Sequence, residues 1–202
     1  MLLPITDEVL PTLIDVAAAG VHDPDRMPFS YPWTDASADT LPTNFVQYHW
    51  GTRTRWSTDA WALDLAVEYD GEIVGTQGFT THDYLVTRTG ETGSWLGLAH
   101  HGRGIGTRMR QAICAFAFDH LDAEEITSAA FADNPASLAV SRKVGYRADG
   151  RQRLSRRGEA AINQRLVLDP DDFVRGEPIT VHGVAEFRAF IGLDQQNAAN
   201  AE

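Results

Sequence analysis

Apolar and polar residues alternate along several stretches of the chain, and this period of two predicts β-strands. The clearest stretch is 61–69, where apolar side chains occupy every second position. Asp70-Gly71 follows it and is typical of a hairpin turn, so 73–81 is predicted to be the returning strand. With a third strand predicted at 92–98, this part of the chain forms an antiparallel meander.

Helical spacing of apolar residues appears on both sides of the meander. A first helix is predicted over 7–19, after a start that can cap a helix, and helical character returns over 44–54. Between them, 20–44 carries four prolines among aromatic and acidic residues, which prevents long regular structure. We expect an ordered loop or short helices that cover a pocket.

The second half reads as strand, helix, strand, helix. A long helix is predicted over 104–121, a strand over 125–131, and a short helix over 135–144 that ends at Gly145. Two strands follow, at 146–155 and 160–168. We therefore expect one domain over 1–168 and a C-terminal extension over 169–202, with a frayed tail at 195–202.

Composition narrows the class of protein. The chain has 202 residues, of which 43% are hydrophobic and 22% are charged, as expected for one globular domain. Its apolar runs are too short to span a bilayer and its start lacks the features of a signal peptide, so no membrane partner and a cytoplasmic location are expected. Cys114 is the single cysteine and is predicted to be a core residue.

The net charge of -11 argues against nucleic acid as the main partner, because such binding depends on neutralising phosphates with Lys and Arg. Positive charge is nevertheless clustered locally, for example at Arg103, Arg108 and Arg110. The net charge therefore does not exclude a small anionic ligand.

A glycine-rich turn lies between the third strand and the long helix. Unpaired backbone N–H groups and the helix dipole favour an anion there, and glycines let a phosphate approach the amides. Such a turn can also be a tight connection without a ligand. The candidate binding residues are His101, Gly102, Arg103, Gly104, Ile105, Gly106 and Thr107.

Two known phosphate loops do not fit this turn. A Walker loop needs Gly-Lys-Ser/Thr, which is absent. A dinucleotide fingerprint needs a third glycine where Thr107 stands, and Glu124 and Glu125 precede the next strand instead of ending it.

Four motifs occur in an order and spacing that resemble the GNAT superfamily of N-acetyltransferases, in particular its branch similar to ribosomal-protein N-acetyltransferases. They are Gly-Ser-Trp-Leu-Gly at 93–97, His-Gly-Arg-Gly-Ile-Gly at 101–106, Asn-Pro-Ala-Ser at 134–137 and Val-Ser-Arg-Lys-Val-Gly-Tyr at 140–146. The likeness covers about residues 1 to 168. It departs at His101, where the family usually has Gln or Arg.

The resemblance implies an α/β GNAT fold, in which a mixed, mostly antiparallel twisted sheet is flanked by helices and its central strands splay apart. It also implies acetyl-CoA or another short acyl-CoA as co-substrate and no metal. The pantetheine arm would lie between the splayed strands, and the amide of Leu98 would stabilise the oxyanion. No protein nucleophile is needed, because the amine attacks the thioester directly.

The family also suggests residues that handle protons. A Ser at the position of Ser137 has been assigned as the thiolate partner in this branch, and Ser141 stands where many relatives have Tyr. Asn134 is expected to contact pantetheine or to cap the helix. Glu91 aligns with a Glu of the family and is the candidate base.

Three other acidic residues are also candidates for the base: Glu68 and Asp64 on one strand face, and Asp83 at a strand end. His100 and His101 form no recognisable metal set.

The leading hypothesis is acyl transfer to a primary amine of a protein N-terminus, a lysine or a small metabolite. The alternatives are a succinyl-CoA-type donor and a non-catalytic acyl-CoA sensor of the same fold. The acceptor, the acyl chain and the formation of a homodimer are left open.

Overall fold

A computed structural model describes residues 1–194; the predicted frayed tail at 195–202 lies outside the described residues. The helices are α1 (Leu10–Ala18), α2 (Leu41–Thr54), α3 (Tyr84–Thr87), α4 (Ile105–His120), α5 (Pro135–Val144) and α6 (Val184–Phe190). The strands are β1 (Leu2–Pro4), β2 (Ala60–Tyr69), β3 (Glu72–His82), β4 (Thr89–Leu96), β5 (Glu125–Phe131), β6 (Arg147–Arg156) and β7 (Glu159–Leu168).

Seven strands form one sheet in the order β1-β2-β3-β4-β5-β7-β6. Every neighbouring pair is antiparallel except β4 and β5, which run parallel. The long helix α4 connects those two strands, because parallel neighbours need a crossover. The predicted mixed, mostly antiparallel sheet flanked by helices is confirmed.

The two parallel strands separate soon after they meet. Their pairing runs from Thr89 with Glu125 to Glu91 with Thr127. Beyond these residues β4 continues to Leu96 and β5 to Phe131 with no further register between them. A gap therefore opens in the middle of the sheet toward the start of α4, as the splayed strands of the family lead one to expect.

Several elements differ from the predicted ones. The sequence did not predict β1, α3 or α6; β1 and α3 are too short to show a period. The predicted third strand ends two residues late, because Leu98 lies in a 3-10 turn (Leu98–His100) after β4. The segment before α2 is a loop with one 3-10 turn (Trp33–Asp35), as its prolines indicate.

Apolar side chains fill both faces of the sheet. The larger cluster packs α4 and α5 against the sheet and includes Cys114, which is fully buried; burial raises the pKa of its thiol to about 11. Phe173, Ile191 and Leu193 belong to the same cluster, so the segment after residue 168 packs onto the domain as far as the structure describes it. A second cluster packs α1 and α2 onto the other face.

Candidate active site

The glycine-rich turn after β4 has a backbone that suits glycine. Gly102 and Gly104 have φ of +74° and +79°, which other residues rarely adopt. An added Cβ at either position would meet no atom within 4 Å. Gly104 is also the N-cap of α4. The turn therefore presents open, unobstructed backbone at the start of a 16-residue helix.

The amides of this turn are available to a ligand. The first hydrogen bond of the α4 ladder runs from the Arg108 amide to the Gly104 carbonyl at 3.2 Å. In the part of the chain that the structure describes, none of the amides of residues 102–107 donates to a protein acceptor. Unpaired N–H groups at the positive end of a helix dipole suit a diphosphate. The turn thus fits the diphosphate of a coenzyme A.

Gly106 differs from the other two glycines. Its φ is not in the left-handed region, and an added Cβ would make ordinary contact with Val140 Cγ2 at 3.5 Å. From the sequence, all three glycines were expected to serve the same purpose, namely to let a phosphate approach the backbone amides. In the structure Gly106 lies where α4 faces α5, whereas Gly102 and Gly104 shape the turn.

Two side chains of the turn are held by the sheet. His101 Nε2 lies 3.0 Å from the Leu96 carbonyl oxygen at the end of β4. The Arg103 guanidinium lies over the Tyr69 ring, 4.9 Å from its centroid. Its Nη2 lies 3.9 Å from Asp70 Oδ2. These contacts anchor the turn to β4 and to the β2–β3 hairpin.

The backbone amide of Leu98 is engaged elsewhere, since it donates to the Gly20 carbonyl at 2.9 Å. The Gly97 amide donates to Val74 on β3, and amides alternate in direction along a strand. The amides of Ser94 and Leu96 therefore face away from β3, toward the gap. These two amides were not predicted, because the sequence placed the end of the strand at residue 98. Since β4 ends at Leu96, the last strand amide that faces the gap is that of Leu96.

A buried arginine bridges the two sides of the gap. Arg110, on α4, donates from Nη2 to Ser94 Oγ on β4 and from Nη1 to Ser128 Oγ on β5, both at 3.1 Å. Its Nε has no partner, and no carboxylate within residues 1–194 forms an ion pair with it. A buried cation without an anion is costly, so this group can accept one from a ligand.

The predicted proton donors lie on α5. Asn134 caps this helix, and its side chain accepts from the Ser137 amide at 3.2 Å. Ser137 is half-buried. Ser141 is buried, and its hydroxyl has no hydrogen-bond partner among the described residues. Buried hydroxyls usually have a partner. The Ser141 hydroxyl is therefore free to bond a ligand.

A cavity of about 720 Å³ opens on the α1/α2 side of the sheet and reaches β4 at residues 93–95. Rings dominate its wall; Phe29, Trp33, Phe45 and Trp95 pack on one another with centroids 5.3 to 6.1 Å apart. Tyr31 and Tyr48 also line it. The proline-rich loop and α2 thus cover a pocket, as that composition leads one to expect.

Asp64 lies in this cavity, in the middle of β2. Its side chain is 17% exposed and its Oδ2 accepts no hydrogen bond in the described chain. Burial raises the pKa of this carboxyl. His49 Nδ1 lies 3.8 Å away; burial, and then the charge of Arg53, lower the pKa of His49 to about 4, so the ring is neutral at pH 7.

The other acidic candidates lie elsewhere. Glu91 is exposed on β4, and neither it nor Glu68 nor Asp83 lines the cavity. Residues 1–194 contain no group of three or more His, Cys, Asp or Glu side chains that could hold a metal ion. No helix in the same range is both long and apolar enough to cross a membrane.

The fold and site define a class of protein: an α/β protein whose mixed sheet is split beside a glycine-rich turn with unpaired amides. A family model described as an acetyltransferase (GNAT) domain matches residues 1–147. The chain belongs to the GNAT family of acetyltransferases, which confirms the resemblance drawn from the motifs.

Among curated proteins, the chain is 27% identical over 118 residues to YdaF of Bacillus subtilis strain 168, whose name designates it a candidate ribosomal N-acetyltransferase. The match covers 58% of this chain and 62% of that relative. The chain therefore matches less than two thirds of that relative's length.

Solved structures share the fold. RimJ of Mycobacterium smegmatis, in complex with a CoA disulfide, has a TM-score of 0.72 at 20% identity, covering 95% of this chain and 88% of its own. RimL, a ribosomal L7/L12 α-N-protein acetyltransferase in complex with CoA, has a TM-score of 0.65 at 16% identity. The match covers 85% of this chain and 94% of the RimL chain.

Proposed function

We propose that the protein is an acyl-CoA-dependent N-acyltransferase, with acetyl-CoA as the simplest donor, and that it transfers the acyl group to a primary amine by direct attack. One observation carries this proposal: β4 borders the gap in the sheet and the aromatic cavity at once, and Ser94 belongs to both. An acyl donor bound at the turn and along the gap would therefore meet an acceptor bound in the cavity.

The co-substrate supplies a thioester whose carbonyl carbon an amine can attack. The amides of residues 102–107 would hold the diphosphate, and the gap between β4 and β5 would receive the pantetheine arm. The Ser94 and Leu96 amides, which face that gap, replace the Leu98 amide as the proposed donors to the developing oxyanion.

Proton transfers complete the reaction. As the C–N bond forms and the C–S bond breaks, the departing thiolate gains a proton, for which we propose Ser137 with Ser141 as the alternative. The amine must lose its proton to become nucleophilic. Asp64 lies in the cavity and Glu91 does not, so we propose Asp64 in place of Glu91 as the group that accepts this proton.

Thiol release tests this function and separates it from the sensor alternative. The protein is incubated with acetyl-CoA and a panel of primary amines, and free thiol and acylated amine are measured together. A transferase releases one thiol for each amine acylated. Tight CoA binding with no thiol release for any amine would instead favour the sensor.

A second donor is favoured by Arg110, whose buried guanidinium forms no ion pair with any carboxylate in residues 1–194. A carboxylate on the acyl chain, as in succinyl-CoA, would supply one. In this case kcat/KM for succinyl-CoA exceeds that for acetyl-CoA in the wild type. In Arg110→Gln, kcat/KM for acetyl-CoA becomes the larger of the two. Arg108→Gln, an exposed change on the same helix, serves as the control. Equal effects of the two variants on the donor preference would refute this role of Arg110.

The cellular location and the oligomeric state stay predictions. A cytoplasmic protein that can form a homodimer remains our expectation.

A further inference from the structure

The buried carboxylate of Asp64 is accommodated by a glycine on the next strand. Asp64 pairs with Gly78 of β3, and an added Cβ at Gly78 would lie 2.7 Å from Asp64 Oδ1. The carboxylate therefore occupies the place that a side chain on β3 would otherwise take. It lies on the sheet as the floor of the cavity.

The described part of the chain supplies no cation to this carboxylate. Its Oδ2 has no hydrogen-bond partner in the described chain, and the neighbouring His49 is neutral because burial lowers its pKa to about 4. Within the residues described, the cavity lining includes no Lys, no Arg and no second carboxylate. A partly desolvated carboxylate that faces no cation among the described residues is costly, and a bound cation removes that cost.

The rings around Asp64 suit a cation with an apolar body. The faces of Trp, Tyr and Phe attract an ammonium group, and their area favours an apolar or aromatic substituent. Trp33, Phe45 and Trp95 form one contiguous wall of the cavity. A single carboxylate can match one ammonium, whereas a polyamine would bring further charges into an apolar cavity.

Resting on the proposed function, we infer that the acceptor is a monocationic primary amine carried on an apolar or aromatic body, and that Asp64 binds its ammonium group. A free arylalkylamine and the α-amino group of a peptide with an apolar first residue share this chemistry. Polyamines and anionic acceptors do not fit it.

Calorimetry on the full-length protein tests this inference without requiring turnover. The probes are 2-phenylethylamine, its neutral counterpart 2-phenylethanol, spermidine, and a short peptide that begins with Phe. We expect the amine to bind at least about tenfold more tightly than the alcohol and than spermidine. Binding of the peptide in place of the free amine, with the same dependence on Asp64, would support the inference and assign the source as a peptide terminus.

The matched variants are Asp64→Asn and Glu68→Gln, which remove one carboxylate each from the same strand. Asp64→Asn should weaken binding of the amine about 10- to 100-fold and leave binding of the alcohol unchanged, whereas Glu68→Gln should leave both unchanged. Thermal unfolding confirms that each variant is folded. The inference would be overturned if neither the amine nor the peptide bound more tightly than the alcohol, if spermidine were preferred, or if folded Asp64→Asn kept the wild-type affinity for whichever of the two probes binds.

Affinity for acetyl-CoA and thiol release are measured on the same samples. If CoA fails to bind while the amine still binds through Asp64, the proposed function fails and this inference about the cavity stands. If CoA binds and thiol is released with other amines independently of Asp64, the function stands and the inference fails.

Discussion

The role of the turn at Gly104 can be tested against a position that is nearly identical in backbone geometry. Gly104 is the N-cap of α4 with φ 79° and ψ -4°; Gly183 is the N-cap of α6 with φ 75° and ψ 21°. At both, an added Cβ would meet nothing within 4 Å. Alanine at either position therefore adds the same backbone strain and no clash.

That strain sets the expected change in stability. Left-handed conformation costs an L-residue roughly 1–2 kcal/mol relative to glycine. For a chain of this size, about 1 kcal/mol lowers the melting temperature by about 2–4 °C, so both Gly104→Ala and Gly183→Ala should lose about 2–8 °C.

Only Gly104→Ala should weaken the binding of CoA. Its methyl group would occupy open space on the turn that carries the unpaired amides, where a diphosphate must approach closely. Loss of one hydrogen bond to a charged group costs about 1.5–3 kcal/mol, which corresponds to roughly a 10- to 100-fold rise in Kd. Gly183→Ala should keep the wild-type Kd.

Calorimetric titration of CoA into the three proteins measures this difference, and thermal unfolding measures the strain. Gly106→Ala is a further control, because its Cβ would face Val140 at 3.5 Å and its φ is ordinary. If folded Gly104→Ala binds CoA as tightly as Gly183→Ala does, the turn is not the diphosphate site.

Three further outcomes are expected. Ser137→Ala should lower kcat roughly 10- to 1000-fold with little change in CoA affinity, whereas Ser141→Ala should lower kcat less because Ser141 is only the alternative proton donor; the reverse order in stopped-flow assays would assign the proton to Ser141. Because the folded pKa of His49 is about 4 and lies below its unfolded value, this residue's contribution to stability falls as pH drops from about 6.5 to 4. Chemical denaturation should show that the free energy of unfolding falls less steeply over this pH range in His49→Gln than in the wild type. The same pH dependence in both proteins would contradict this role of His49. With a net charge of -11, kcat/KM for a cationic acceptor should fall as salt rises to physiological strength, and a flat or rising dependence would refute this steering.

The sequence determined the elements with strong local signals. Period-two alternation located the meander, Asp70-Gly71 located its hairpin, and helical spacing located α4. The turn at 101–107 was predicted from its glycines between a strand and a helix, and from the unpaired N–H groups with which a helix begins. All of these depend on residues close together in the chain, so neighbouring residues suffice to identify them.

The tertiary structure decided the site. Asp64 received no more weight than Glu68, Asp83 or Glu91, because its importance comes from Gly78 on β3 and from rings on α2 and the loop before it. The anion-free environment of Arg110 likewise depends on β4, β5 and α4 meeting at the gap. Burial and the absence of a charge partner are properties of three-dimensional neighbours, and spacing along the chain does not encode them. For the same reason, the sequence predicted the turn but placed the oxyanion donor at Leu98, whose amide the folded chain uses to bind Gly20.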